Sequence, residues 1–117
     1  MKVDLTYLKN MSAGNKQLVL EMIEIFKTQV AEFNTDMDKL YSDKNFEQLG
    51  RLAHKAKSSI SIMGLNDLAA DLKKFEIIAK AGVEEEKYPI FIHKFKNETE
   101  EAITELDEVS KNIDIYF

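Results

Sequence analysis

Apolar residues recur at intervals of three and four along most of the chain, which predicts four long amphipathic helices. The first stripe comprises Leu18, Met22, Phe26, Val30, Phe33, Met37 and Leu40, with Val19 and Ile23 beside it. It predicts a helix from about Ala13 to Tyr41, with Ser12 as its N-cap. Residues 4–10, with Leu5 and Leu8 turned inward, predict a short helix before it.

Three further stripes follow. They consist of Phe46, Leu49, Ala53, Ala56, Ile60 and Met63; of Leu65, Leu68, Leu72, Phe75 and Ala79; and of Phe91, Phe95, Ala102, Leu106, Val109 and Ile113. Asn45 is the predicted N-cap of the second helix, with Gln48 in the capping-box position. Gly64 and Gly82 should end the second and third helices. Pro89 suits the first turn of the last helix, after an acidic loop over 83–88.

The connections between these helices are short and polar, and no stretch alternates as a strand would. The predicted fold is therefore all-α, an antiparallel up-down four-helix bundle with a short extra N-terminal helix. At 117 residues the chain is expected to form one domain over 1–117.

Composition narrows the classes of function. The absence of cysteine excludes thiol nucleophiles and zinc-thiolate sites and fits a reducing, cytoplasmic location. A net charge of −5 argues against nucleic-acid binding, and no apolar run is long enough for a membrane span. Residues 48–66 nevertheless contain no acidic residue but include Arg51, Lys55 and Lys57, so this basic helix face predicts a compact, negatively charged partner surface.

His54 is the strongest candidate for chemistry. It lies about 140° from the centre of the buried stripe of its helix and should face water. Gly50, Ser58 and Ser61 flank it on the same helix, so a partner would have room to approach.

Two charged residues complete the candidate site. Lys57 is one turn beyond His54 and could neutralise a phosphoryl group on the imidazole. Glu76 lies about 70° off the stripe of the next helix, at the edge that should meet the helix of His54. It could accept a hydrogen bond from Nδ1 and leave Nε2 as the nucleophile. From spacing alone, all three could equally be ordinary surface residues.

Other chemistries lack their motifs. Neither histidine has a glutamate three residues before it, so no di-iron or other metal site is predicted. No glycine-rich phosphate loop exists, so the chain should not bind ATP by that route. His93, about 170° from the stripe of its helix, is interpreted as a surface residue.

The segment from Asn45 to Glu76 resembles the histidine-containing phosphotransfer (HPt) domain. The resemblance is carried by His54-x-x-Lys57-x-Ser59, by Gly64 ten residues after the histidine, and by Leu72-x-x-Phe75-Glu76. It implies that His54 accepts a phosphoryl group, that Lys57 assists, and that Glu76 orients the ring. Ser58 departs from the glycine that is usual in the family.

The resemblance also implies partners: response-regulator receiver domains, which carry the Mg²⁺, and a sensor or hybrid histidine kinase. Transfer in both directions would make the chain a relay carrier without an ATP site or cofactor of its own. A monomer is expected, and the Met1 start favours a stand-alone protein. Two alternatives are an interaction module that docks a receiver or other acidic surface without being phosphorylated, and a basic amphipathic helix for membrane surfaces.

Overall fold

The computed structural model describes all 117 residues, and every regular element in it is helical. The elements are α1 (Thr6–Ser12), α2 (Lys16–Ser42), α3 (Phe46–Ile62), α4 (Asn66–Ala81), α5 (Tyr88–Lys111) and α6 (Ile113–Tyr116), with a 3-10 turn over Glu85–Lys87. The molecule is elongated, with extents of 46 × 20 × 20 Å. None of the helices combines the length and apolar character that crossing a bilayer requires.

The four long helices form a closed bundle. Each of α2, α3, α4 and α5 packs against the next in the chain, and α5 packs back against α2. The connections between these helices span only residues 43–45, 63–65 and 82–87. The prediction of an all-helical bundle with a short additional helix at the N-terminus is confirmed, and α1 packs against α2.

A single cluster of 25 buried hydrophobic residues fills the bundle. The predicted stripes of α3 and α4 are buried as expected, apart from Phe46, which is half-buried. The aromatic rings of Phe75 and Phe91 stack at 5.2 Å between centroids and join α4 to α5. Helices α3 and α4 make the most extensive contact in the bundle, and two of the buried positions of α3, Ala53 and Ala56, are small.

The start of α2 differs from the prediction. Ser12 does not cap it but ends α1, where it is buried and its hydroxyl donates to the carbonyl of Lys9 at 3.2 Å. Ala13 and Gly14 then take positive φ angles of 52° and 79°, which interrupts the helix. The actual N-cap is Asn15, whose Oδ1 accepts a hydrogen bond from the backbone N–H of Leu18 at 3.1 Å.

Three smaller expectations were also wrong. Leu18, predicted to lie on the buried stripe, is 36 % exposed. The first residue of α2 that is buried in the core is Val19. Asn45 precedes α3 but makes no side-chain cap hydrogen bond, so the expected capping box with Gln48 is not formed. The last long helix ends at Lys111, and residues 113–116 form the separate turn α6, which packs on the core through Ile113 and Tyr116.

The N-terminal segment is tied to the turn between α3 and α4. The backbone N–H of Asp4 donates to the carbonyl of Met63 at 3.1 Å, and that of Val3 donates to Oε1 of Glu105 at 3.0 Å. Gly64, with φ of +72°, makes this approach possible, because a Cβ there would lie 2.4 Å from Cβ of Asp4. This segment therefore fixes the end of α3 that follows His54.

The loop between α4 and α5 depends on one buried hydroxyl. Tyr88 is fully buried, and its Oη lies 3.0 Å from the carbonyl of Ile78 and 2.8 Å from that of Val83. We expect Tyr88→Phe to lower the free energy of unfolding by about 1–2 kcal/mol, because it removes the donor to these carbonyls. Urea unfolding followed by circular dichroism measures this change. Tyr7→Phe, at a half-exposed tyrosine, is the control and should have an effect within about 0.5 kcal/mol.

Candidate functional site

The imidazole of His54 stands on the outside of α3 and is held by a carboxylate from α4. Its side chain is 61 % exposed, and Nδ1 lies 2.7 Å from Oε1 and 3.0 Å from Oε2 of Glu76. An ionised carboxylate can only accept hydrogen bonds, so Nδ1 carries the proton and donates it. The lone pair of the neutral ring is therefore on Nε2, the nitrogen that Glu76 does not contact.

Each of these side chains directly follows a fully buried residue of its helix. Ala53 precedes His54 and Phe75 precedes Glu76, and both are 0 % exposed. Because a helix turns by about 100° per residue, the residue after a core position is turned out of the buried stripe. The packing of α3 on α4 thus brings the imidazole and the carboxylate to the same seam.

Gly50, one turn before His54, lies in this seam and is buried. A Cβ at this position would lie 2.7 Å from Cγ and 2.9 Å from the backbone nitrogen of Lys80, and 3.0 Å from the carbonyl oxygen of Glu76. The sequence predicted Gly50 as part of a partner-binding surface. Its position corrects this interpretation: the missing side chain makes room for α4 rather than for a partner.

Glu76 is largely enclosed, with a side chain only 12 % exposed. Burial is the largest single effect on the pKa of Glu76 and works to raise it, whereas the hydrogen bond and electrostatic interaction with His54 act to lower it. The ammonium groups of Lys80 and Lys57 lower the pKa of Glu76 further, and the net result lies below the ordinary value of 4.5. Oε2 of Glu76 is 3.6 Å from Nζ of Lys80. The carboxylate is therefore ionised at neutral pH.

The basic residues around His54 differ in how they are engaged. Lys57 is half-buried and close enough to Glu76 to affect its titration, while Lys55 is exposed; neither makes an ion pair. Arg51 is exposed and pairs with Glu47 of its own helix at 2.9 Å. The positive charge that is free to meet a partner therefore comes from the two lysines.

Ser58 and Ser61 are exposed and line an open cleft of about 570 Å³ between α3 and α1. Tyr7 and Asn10 of α1 line the other side of this cleft, which the sequence interpretation did not foresee. The contact of Lys80 with Glu76 was also missed, although its signal was present: a lysine four residues after a glutamate on a helix. No group of three or more potential metal ligands occurs in the structure. His93 is exposed on α5.

Comparison with protein-family models shows which family the chain belongs to. The model of the Hpt domain matches residues 21–109. The chain belongs to the Hpt domain family. No curated protein and no solved structure gives a significant match.

Hpt domains carry a phosphoryl group on a histidine in two-component phosphorelays and interact there with receiver domains and kinases. The part of this Hpt domain that matches the family model includes all of α3 and α4, and with them His54, Lys57 and Glu76. Helix α1 and the N-terminal segment lie outside the matched range, so the α1 side of the cleft comes from a part of the chain that the family model does not cover.

The lowered pKa of Glu76 predicts a pH dependence of stability. A carboxyl group whose folded pKa lies below its unfolded value stabilises the fold fully above the unfolded value. For Glu76 this contribution is complete above about pH 4.5 and is lost as the pH falls through the folded pKa. Urea unfolding of the wild type and of Glu76→Gln should therefore give free energies that differ near neutral pH and converge as the pH falls through the folded pKa of Glu76.

The matched control is Glu100→Gln, at an exposed carboxylate of α5 without an ion pair. Its difference from the wild type should stay small and constant over the same range. A difference for Glu76→Gln that does not shrink on acidification would contradict the proposed electrostatic role of this carboxylate.

Proposed function

We propose that this chain is a histidine phosphotransfer protein that accepts a phosphoryl group on Nε2 of His54 from the phospho-aspartate of a receiver domain, or from a kinase. It then passes the group to an aspartate of another receiver. The observation that supports this most is the exposed imidazole whose Nδ1–H is held by Glu76, with Nε2 left free. The chain acts as a phosphoryl carrier rather than as an enzyme with a substrate pocket of its own.

The transfer reaction requires few catalytic groups on the carrier. The Nε2 lone pair of His54 attacks phosphorus, the bond from phosphorus to the aspartate oxygen breaks, and the carboxylate of the donor leaves with the bonding electrons. The proton on Nδ1 stays in its hydrogen bond to Glu76, so the positive charge that develops on the ring is stabilised as the new bond forms. Phosphoryl transfer proceeds through a loose transition state and depends mainly on positioning and charge. The same steps in reverse pass the group on.

Lys57 provides the charge on this side of the reaction. It is one turn from His54, makes no ion pair, and lies close enough to influence Glu76. An ammonium group there neutralises part of the charge on the phosphoryl oxygens during transfer. The Mg²⁺ is expected to come with the receiver, bound by the partner's own residues.

The partner surface comprises the exposed residues around the imidazole. Lys55 would face the acidic surface of a receiver, and Arg51, which pairs with Glu47, would lie beside it. Ser58 and Ser61 lie beside the ring on the cleft side. A serine at position 58 adds a hydroxymethyl group where the family usually has glycine, and it would contact the partner directly because it is exposed. The protein would act in the cytoplasm as a monomer.

We expect incubation with a radiolabelled, aspartyl-phosphorylated receiver domain to label the wild-type chain in an acid-labile, base-stable form. His54→Gln should abolish the label, because it removes the nucleophile. The matched control is His93→Gln, at the other histidine of the chain, which is exposed on α5 and should be labelled like the wild type.

Full labelling of His54→Gln would overturn the assignment of the acceptor. If the wild type binds phosphorylated receivers but none of them labels it, the chain is an interaction module and the proposed function is wrong. Circular dichroism of both variants verifies that the helices are retained.

Lys57→Ala should slow phosphoryl transfer on the order of ten- to hundredfold, because one stabilising charge on the transferred group is lost. Rapid-quench measurement of the label on His54 gives the rate. Lys73→Ala removes an exposed lysine of α4 that makes no ion pair and should leave the rate unchanged. Equal rates for Lys57→Ala and the wild type would refute the role of Lys57.

A further inference from the structure

The seam between α3 and α4 contains one more charged residue than the proposed transfer chemistry uses. Lys80 follows Glu76 by one helical turn, and its Nζ lies 3.6 Å from Oε2 of that carboxylate. The oxygen Oε1 of Glu76 is the one closer to the imidazole, at 2.7 Å from Nδ1 of His54. The carboxylate thus lies between a ring nitrogen of α3 and an ammonium group of its own helix.

The stem of Lys80 is held in place by the close packing at Gly50. A Cβ on Gly50 would lie 2.7 Å from Cγ of Lys80, so the lysine stem occupies the space that any other residue at position 50 would need. The side chain of Lys80 is 44 % exposed, which leaves its stem against α3 and its head partly in water. The stem of an ordinary surface lysine has no such packing contact, so its side chain samples many rotamers.

We propose that Lys80 is a positioning residue for the phosphoryl acceptor and acts on His54 only through Glu76. Its ammonium group holds the second carboxylate oxygen, so that the first stays aligned with Nδ1. This inference rests on the proposed function insofar as the positioned ring is the acceptor, but the contact itself can be tested without any phosphorylation.

Three basic side chains influence the pKa of Glu76: His54 and Lys57 from α3, and Lys80 from α4. The hydrogen bond with His54 and the two ammonium groups all favour the ionised carboxylate. Removing Lys80 alone should therefore make Glu76 easier to protonate and leave its side chain with one anchor instead of two.

The experiment compares the wild type with Lys80→Met, Lys80→Arg and the control Lys73→Met, which removes a lysine two turns earlier on α4 that makes no ion pair. The carbon-13 signal of the Glu76 carboxyl group reports its titration midpoint. Nitrogen-15 NMR of the imidazole reports the fraction of His54 that is protonated on Nδ1. We expect Lys80→Met to raise the midpoint of Glu76 and to lower the Nδ1–H fraction, and Lys80→Arg and Lys73→Met to resemble the wild type.

An unchanged carboxyl midpoint, or an unchanged tautomer fraction, in folded Lys80→Met protein would overturn the proposal. So would an equal change in Lys73→Met, because the effect would then be a general loss of positive charge. Phosphoryl transfer should be severalfold slower in Lys80→Met and restored in Lys80→Arg. If the wild type accepts no phosphoryl group at all, the proposed function fails, whereas the two NMR readouts still decide the role of Lys80.

Discussion

The candidate site depends on one contact, the hydrogen bond between His54 and Glu76. It joins the outer edges of two helices, so it exists only if α3 and α4 pack in one register and at one separation. If the sequence of either helix were shifted by one residue relative to the packing interface, the imidazole or the carboxylate would be rotated by about 100° around its helix axis. The two groups would then be separated. The bond in turn decides which ring nitrogen bears the lone pair, so the tautomer of one side chain depends on the packing of two helices.

The packing of core side chains fixes the register of α3 against α4. Ala53 and Ala56 of α3 are fully buried, and Phe75 fills the interior from α4 against the ring of Phe91. Gly50 allows the two backbones to approach where Glu76 and Lys80 lie opposite α3. Because each polar group of the site follows a buried neighbour, the stability of the core and the geometry of the site cannot vary independently. A substitution that loosens the interior near position 53 would also move the imidazole relative to its carboxylate.

Much of this could be predicted from periodicity, and the failures have physical causes. The stripes of α3 and α4 were correct because one face of each helix is buried along nearly its whole length. The start of α2 was wrong because Ser12 and Asn15 are both good caps, and only the left-handed turn at Ala13 and Gly14 decides between them. The pairing of His54 with Glu76 could be anticipated because Glu76 lies at the edge of its stripe that should meet the helix of His54. The buried position of Gly50 could not, because a residue without a side chain gives no sign of which neighbour approaches it.

The open setting of the imidazole has a consequence for how long a signal can be kept. A ring with 61 % of its side chain in contact with solvent has no lid, so a phosphoryl group carried there would meet water whenever no partner covers it. The lifetime of the phosphoryl group would then depend on the rate of hydrolysis relative to the rate at which the next receiver binds. Two lysines without carboxylate partners, Lys55 and Lys57, favour arrival, since long-range attraction speeds the encounter of oppositely charged surfaces. A higher ionic strength would screen that attraction and slow binding of the receiver, so more of the phosphoryl group would be lost to hydrolysis.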